Sequence, residues 1–230
     1  MKKFLKKIIT ESSLKQFFRK LFRKPEVITF DGVANYWEQR YKTNGNSGAG
    51  SYGRLAAFKA KVINEFVNAK KINSVIEFGC GDGNQLTLAK YPKYIGLDVS
   101  QKAIDVCSKQ FSKDNTKKFY VLGKVDHLTA ELTLSLDVIF HLVEDVVYEG
   151  YMQDLFTTSS HYVVIYSSNY NDDFAMGVAH VKHRKFINWV NQNVVEFELI
   201  DTIKNIYPYV DSNPDHTSFA DFYFFERKKL

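Results

Sequence analysis

Apolar positions along this chain recur with two periods, and the switching between them predicts its architecture. Residues 54–68 repeat at intervals of three and four, which predicts an amphipathic helix, and 33–41 read as a shorter one. Short apolar runs at 74–78, 94–97, 119–122, 136–142 and 162–167 predict buried strands, with helices over 84–90 and 146–156 between them. Residues 197–203 and 218–225 predict a two-stranded finish. Strands alternating with helices point to a doubly wound α/β sheet. Residues 44–51, rich in glycine and serine, predict a loop between the first two helices.

The turn after the first strand carries the clearest chemistry. Glu77, Phe78, Gly79, Cys80, Gly81, Asp82 and Gly83 place glycines at alternate positions, so the backbone can bend sharply and come close to a ligand. The next strand delivers Asp98 nineteen positions after Gly79. A carboxylate there can accept hydrogen bonds from both hydroxyls of a ribose. Dinucleotide enzymes use G-x-G-x-x-G to seat a pyrophosphate on a helix N-terminus. This chain reads E-x-G-x-G-x-G, with Glu77 and Asp82 where a phosphate would be repelled. A ligand carrying an ammonium or sulfonium suits it better.

Composition agrees with one such domain. The chain has 230 residues, 45% of them hydrophobic, enough for a substantial core, and no stretch reads as a hinge between domains or as an internal repeat. Cys80 and Cys107 form no C-x-x-C pair; they suit a reducing compartment and read as buried small apolar groups. No apolar run reaches the length of a membrane span.

Charge divides the chain unevenly. Residues 1–24 hold nine Lys or Arg against the single acid Glu11, so the net charge of +5 leaves the remainder mildly acidic. That argues against a broad nucleic-acid-binding face on the domain. The tail interleaves apolar and basic residues as a helix resting on an anionic membrane does, and equally as a helix packed on the domain or a partner does. The expected organisation is therefore a basic amphipathic tail, 1–24, and a domain over 25–230 whose residues 25–72 form a helical lid and loop.

With its E-x-G-x-G-x-G turn and the pattern Gly96, Asp98, Ser100, Ala103, Ile104 after the second strand, the chain resembles class I S-adenosylmethionine-dependent methyltransferases from about Tyr36 onward. The resemblance implies a Rossmann-like seven-stranded sheet in the order 3-2-1-4-5-7-6, its last strand antiparallel, with an N-terminal helical extension. It implies S-adenosylmethionine as cofactor and S-adenosylhomocysteine as product. Glu77, Gly79 and Gly81 would pass beside the methionine part, Asp98 would hold the ribose with Val99 next to it, and His141 would rim the pocket. Asp126 would accept from the adenine amino group, although a helix N-cap is its other reading.

The segments Y-W-E-Q-R-Y, S-G-A-G-S-Y-G-R-L, D-V-I-F-H-L-V-E-D, Y-V-V-I-Y-S-S-N and H-V-K-H-R-K-F resemble sugar O-methyltransferases of bacterial capsule and surface-polysaccharide biosynthesis, including those acting on nucleotide-activated heptoses. The implied reaction is methyl transfer to a sugar hydroxyl, for instance of GDP-heptose. The implied location is cytoplasmic, with the tail at the inner membrane surface. Small-molecule or RNA methylation, or a catalytically inactive cofactor-binding protein at a membrane, remain the alternatives. H-L-V-E-D after the fourth strand, in place of N-P-P-Y or D-P-P-Y, argues against methylation of base amino groups.

An oxygen acceptor needs a base and an in-line approach. His180 and His183, three apart, would share one face of a helix that overhangs the pocket; His183 is the first candidate base and Glu144 the second. A solvated surface pair is the other reading of the histidines. Lys182 and Arg184 beside them can hold a diphosphate or simply be solvated. Asn169 after the fifth strand would meet the acceptor. Asp145, Asn169, Asp172 and Asp173 do not match a known magnesium spacing, so no catalytic metal is expected. Arg40 or Arg54 would pair with the cofactor carboxylate, and Trp37, Tyr41 and Tyr52 would close as a lid, with Tyr52 and Arg54 also reaching the acceptor.

Overall fold

The computed structural model describes residues 30–124, 127–171 and 179–229. The basic tail, Asp126, Asp172 and Asp173 lie outside the described residues. Among the described residues, five helices, α1 (Val33–Lys42), α2 (Gly53–Ala69), α3 (Gln101–Gln110), α4 (Asp145–Thr157) and α5 (Phe186–Asn193), surround seven strands. The strands are β1 (Ser74–Phe78), β2 (Lys93–Asp98), β3 (Lys117–Val121), β4 (Ala130–Leu136), β5 (Ser159–Ser167), β6 (Phe197–Ile203) and β7 (Asp221–Arg227). They form one sheet in the order β3-β2-β1-β4-β5-β7-β6. β1 to β5 pair in parallel, and β7 runs antiparallel to β5 and β6. This is the Rossmann-like order the resemblance implied.

The sheet buries both faces. Phe58, Val62, Ile63 and Val67 of α2 and Ile104 and Cys107 of α3 pack on one side, against Val75, Leu132, Leu134 and Phe224. Tyr148, Met152, Leu155 and Phe156 of α4 and Phe186 and Val190 of α5 pack on the other, against Ile76, Phe78, Val163 and Phe225. Covered on both faces, β1, β2 and β5 need no polar side, which is why they read as apolar runs.

Between β1 and α4, two elements differ from the sequence expectation. The fourth strand is Ala130–Leu136, not 136–142. Its Thr133 and Ser135 are buried but satisfied, Thr133 Oγ1 donating to the Leu155 carbonyl (2.8 Å) and Ser135 Oγ accepting from Tyr151 (2.8 Å), so polar letters disguised a core strand. At Asp137 the backbone turns to φ 59°, and Ile139–His141 forms a single 3₁₀ turn. The helix expected over 84–90 shrinks to a 3₁₀ turn, Gln85–Leu88. Asp82 accepts from Asn84 N (3.0 Å), Thr87 Oγ1 donates to the Asn84 carbonyl (2.7 Å), and the chain is already extended at Ala89 on its way to Pro92.

Candidate active site

At the carboxyl ends of β1, β2 and β4 the glycine turn opens a cavity of about 430 Å³. Gly79, Gly81 and Gly83 all take positive φ (84°, 57° and 76°), so the turn exists because side chains are absent. A Cβ on Gly79 would sit 2.5 Å from Val138, and one on Gly81 would sit 2.3 Å from Ser47 Oγ. Backbone N–H groups of Gly79 and Cys80 both donate to the Leu97 carbonyl (2.7 and 3.0 Å), which locks the turn to the end of β2.

Asp98 is the keystone of this end. Its Oδ2 accepts from Gly81 N and its Oδ1 from Ser100 N, both at 2.9 Å. Burial raises its pKa to about 6, and those backbone donors limit the rise. Each carboxylate oxygen keeps a further lone pair for a ligand hydroxyl. Glu77, also buried, accepts from Tyr94 Oη (2.7 Å), and burial raises its pKa to about 7. Val99, Trp37, Tyr41 and His141 line the same cavity.

The loop expected at 44–51 closes against this turn. Asp82 Oδ2 accepts from Ser47 N (2.9 Å) and Tyr52 Oη (2.7 Å), while Asp82 N donates to Ser47 Oγ (2.9 Å). Asn84 Nδ2 donates to the Ser51 carbonyl (2.6 Å). Helix α1 is tied down separately: Glu38 accepts from Ser100 Oγ (2.6 Å) on the far side of Asp98, and Val33 N donates to Glu144 Oε1 (3.3 Å).

The two proposed arginines point elsewhere. Arg40 donates to the Asn46 carbonyl (2.7 Å) and lies over the Trp37 ring; Arg54 donates to the His216 carbonyl (2.6 Å) and stacks on Tyr207 at 4.3 Å. Among the described residues the cation on the cavity wall is Lys59, which sequence reading passed over. It is 1% exposed, inside the apolar stripe of α2 four residues from Leu55 and from Ile63, and its Nζ pairs with Asp137 Oδ2 at 2.5 Å. A lysine in a core stripe was the available signal.

Beyond β4 the chain is held by a strap. His180 and His183 do not share a helical face: the strap at 181–185 is irregular, and α5 begins at Phe186. Lys182 N donates to the Phe140 carbonyl (2.8 Å), and Arg184 donates to the Leu142 and Val143 carbonyls (2.6 and 3.0 Å). Both cations also reach Asp145 Oδ1 at 2.7 Å, and these bonds hold the Asp145 carboxyl down at about 2. Asn169 Oδ1 accepts from Ile187 N (3.3 Å) at the start of α5 rather than facing the cavity.

His183 is 3% exposed, off the cavity wall, with Nδ1 2.7 Å from Ser168 Oγ and its ring among Phe140, Tyr170 and Phe219. His180 stacks on Tyr36 at 4.4 Å, also off the wall. His141 is on the wall, and its Nδ1 donates to the His180 carbonyl (2.9 Å), so Nε2 carries the lone pair. Burial lowers its pKa to about 4, which makes it a weak base. Glu144 is on the wall as well. Its Oε1 takes the Val33 N–H, while Oε2 is buried with no hydrogen-bond partner among the described residues.

No family model and no curated protein matches the chain. Solved structures do. Magnesium protoporphyrin IX methyltransferase (ChlM) from Synechocystis PCC 6803, with bound S-adenosylhomocysteine, is 12% identical over 96% of each chain, with a TM-score of 0.58. N-methyltransferase NodS from Bradyrhizobium japonicum WM9, also with S-adenosylhomocysteine, is 11% identical over 94% of this chain and 98% of its own, at 0.58. The methyltransferase domain of bacterial CtHen1-C is 14% identical over 74% and 97%, at 0.56. The chain has the fold shared by these S-adenosylmethionine-dependent methyltransferases.

Proposed function

We propose that the chain binds S-adenosylmethionine at the carboxyl ends of β1 and β2 and transfers its methyl group to a sugar hydroxyl, a nucleotide-linked heptose being the narrowest form of that reading. The cavity supports the cofactor: glycines at positive φ, a buried ribose-competent carboxylate at Asp98, and Glu77 behind the turn fit a nucleoside bearing a sulfonium. When bound, that cofactor supplies an electrophilic methyl group. What remains for the protein is to line up the acceptor and take its proton.

Glu144 Oε2 carries the reaction half of the proposal. One oxygen of this carboxylate is fixed by the amide at the start of α1, so the other is oriented; it is buried beside the cavity that Glu144 lines and has no hydrogen-bond partner among the described residues, so an acceptor reaches it by displacing its cover. A hydroxyl acceptor donates to it and gives up its proton there as the methyl arrives. His183, buried behind Phe140, is left with a packing role.

Charge on the wall favours a neutral acceptor. Asp31, Glu77, Asp98, Asp137, Glu144 and Asp154 face the cavity, with Lys59 as the cation among the described residues. A polyhydroxyl compound brings donors to such a surface, whereas a diphosphate inside it would be repelled. Lys182, 42% exposed at the side chain, is the cation a diphosphate would meet outside.

Methyl transfer from labelled cofactor to free sugars, nucleotide-linked sugars, RNA, phenols and amines tests the proposal. Transfer to a sugar of either kind is the expected result. Robust transfer to RNA, a phenol or an amine, with none to any sugar, would overturn it.

A further inference from the structure

A row of aromatic rings leads out of the cavity. His141 stands on the wall, Phe140 lies 4.5 Å from it, and Phe219 lies 5.1 Å from Phe140. From Phe219 the row forks. One branch reaches Tyr209 at 6.0 Å; the other passes through His183, 4.6 Å from Phe219, to Tyr170, 4.8 Å further on. Phe140 and His183 are buried, Phe219 and Tyr209 are half-buried, and Tyr170 is 40% exposed. Ile206 and Val210, on either side of Tyr209 in the chain, are exposed as well.

Topology sets these rings at the acceptor end of the site. Tyr170 follows β5 and residues 204–220 join β6 to β7; since Ser167 pairs with Asp221 and Leu136 with Tyr166, both segments leave the sheet at the end where β4 meets the cavity. Apolar surface left to water in such a place marks a binding surface. Cations stand beside it. Lys182 is tied through its backbone N–H to the Phe140 carbonyl (2.8 Å), and Arg54, exposed, stacks on Tyr207 and donates to the His216 carbonyl (2.6 Å). Asp145 takes only one of the three Lys182 donors. Aromatic faces with cations beside them suit a planar group joined to phosphate, whereas a neutral sugar chain makes no use of the cations.

We propose that Tyr170, Phe219 and Tyr209 form a stacking shelf for the base of a nucleotide-linked acceptor, with its diphosphate at Lys182 and its sugar reaching past Phe140 into the cavity. This rests on the sugar-transfer reading above and deepens it by giving the nucleotide a place of its own. The acids on the cavity wall support the same order, since they admit the neutral sugar and keep the diphosphate outside. His183, in contact with Phe219 and Tyr170, is the floor of the shelf.

The test is calorimetric titration of the full chain, saturated with S-adenosylhomocysteine so that the cofactor seat is filled, with GDP, UDP, CDP, ADP and inorganic pyrophosphate. At least one nucleoside diphosphate binds about tenfold or more tightly than pyrophosphate. Tyr170→Ala and Tyr209→Ala each weaken that binding by about 5- to 100-fold, the range of one lost base-stacking contact. Tyr170→Phe, which keeps the ring, stays within about threefold of the wild type, and S-adenosylhomocysteine affinity within about twofold shows that each variant is folded. Lys182→Gln weakens nucleoside diphosphate and pyrophosphate alike. Binding of no nucleoside diphosphate, no advantage over pyrophosphate, or undiminished binding in both alanine variants would overturn the shelf and leave transfer to a sugar standing. Methyl transfer to RNA, a phenol or an amine, with none to any sugar, would instead overturn the reading on which the shelf rests.

Discussion

The two ends of the cavity are built in opposite ways. At the β1–β2 end the site is written into short runs of sequence: backbone N–H groups of the turn from Glu77 to Gly83 donate to the Leu97 carbonyl and the Asp98 carboxylate, and Ser100 N donates to the same carboxylate. At the β4–β5 end, the wall is assembled at long range, with Glu144 fixed by Val33 and the 137–145 segment pinned by Lys182 and Arg184. Local backbone geometry can be read from spacing, whereas a wall made by residues 41 to 111 positions apart cannot. The difference also separates the roles. On the proposed reading the first end is a rigid binding seat, and the second is where reaction and acceptor choice reside.

The largest expected effect tests the second end. Glu144→Gln keeps an acceptor for Val33 N but removes the base, so turnover falls by about 10² to 10⁴ while S-adenosylhomocysteine affinity stays within about twofold. Steady-state kinetics beside calorimetry separates the two. A variant with unimpaired turnover would take the reaction away from this wall.

Next comes the rigid seat. Gly81→Ala forces a left-handed alanine, costing about 1–2 kcal/mol, and drives a methyl to 2.3 Å from Ser47 Oγ. The thermal midpoint drops by about 2–8 °C and cofactor affinity weakens. An unchanged melting curve would mean that the 44–51 loop does not rest on the turn.

His183→Gln should behave as a packing lesion: a lower thermal midpoint, with turnover per folded molecule within about threefold. A hundredfold loss in kcat without a change in melting would restore His183 as the base.

The pH dependence tests the buried acids. Burial raises Asp98 to about 6 and Glu77 to about 7, so the stability they contribute is full below the ordinary carboxylate range and is lost as pH rises through 6 to 7. His141, lowered to about 4, works in the opposite sense: its contribution is lost as pH falls from 6.5 toward 4. Binding isolates the acids. A ligand that needs the ionised Asp98 binds more weakly as pH falls through 6, by up to about tenfold per unit, and Asp98→Asn should flatten that slope. Affinity that does not vary between pH 5 and 7.5 would contradict the assignment.

These contrasts explain what the sequence disclosed. The alternation of strands and helices, the glycine turn and Asp98 were legible because each rests on periodicity, positive φ or a strand end, whereas the sheet order came from the resemblance. The fourth strand was misplaced because Thr133 and Ser135 hide their hydrogen bonds inside the core. His180 and His183 looked paired because a spacing of three implies one helical face, yet the strap that holds Arg184 against the Leu142 and Val143 carbonyls is not helical. Lys59 was passed over for the opposite reason: it occupies a position that periodicity assigns to the core, and its charge is explained only by Asp137, 78 residues away.

The central claim is that the turn and Asp98 bind S-adenosylmethionine, and calorimetric titration of S-adenosylhomocysteine into the wild type and Asp98→Ala tests it most directly. The wild type should bind with one-to-one stoichiometry, and the variant should bind at least about tenfold more weakly, since hydrogen bonds to a charged acceptor contribute about 1.5–3 kcal/mol each. No binding by the wild type, or equal affinity in a folded Asp98→Ala protein, would contradict it.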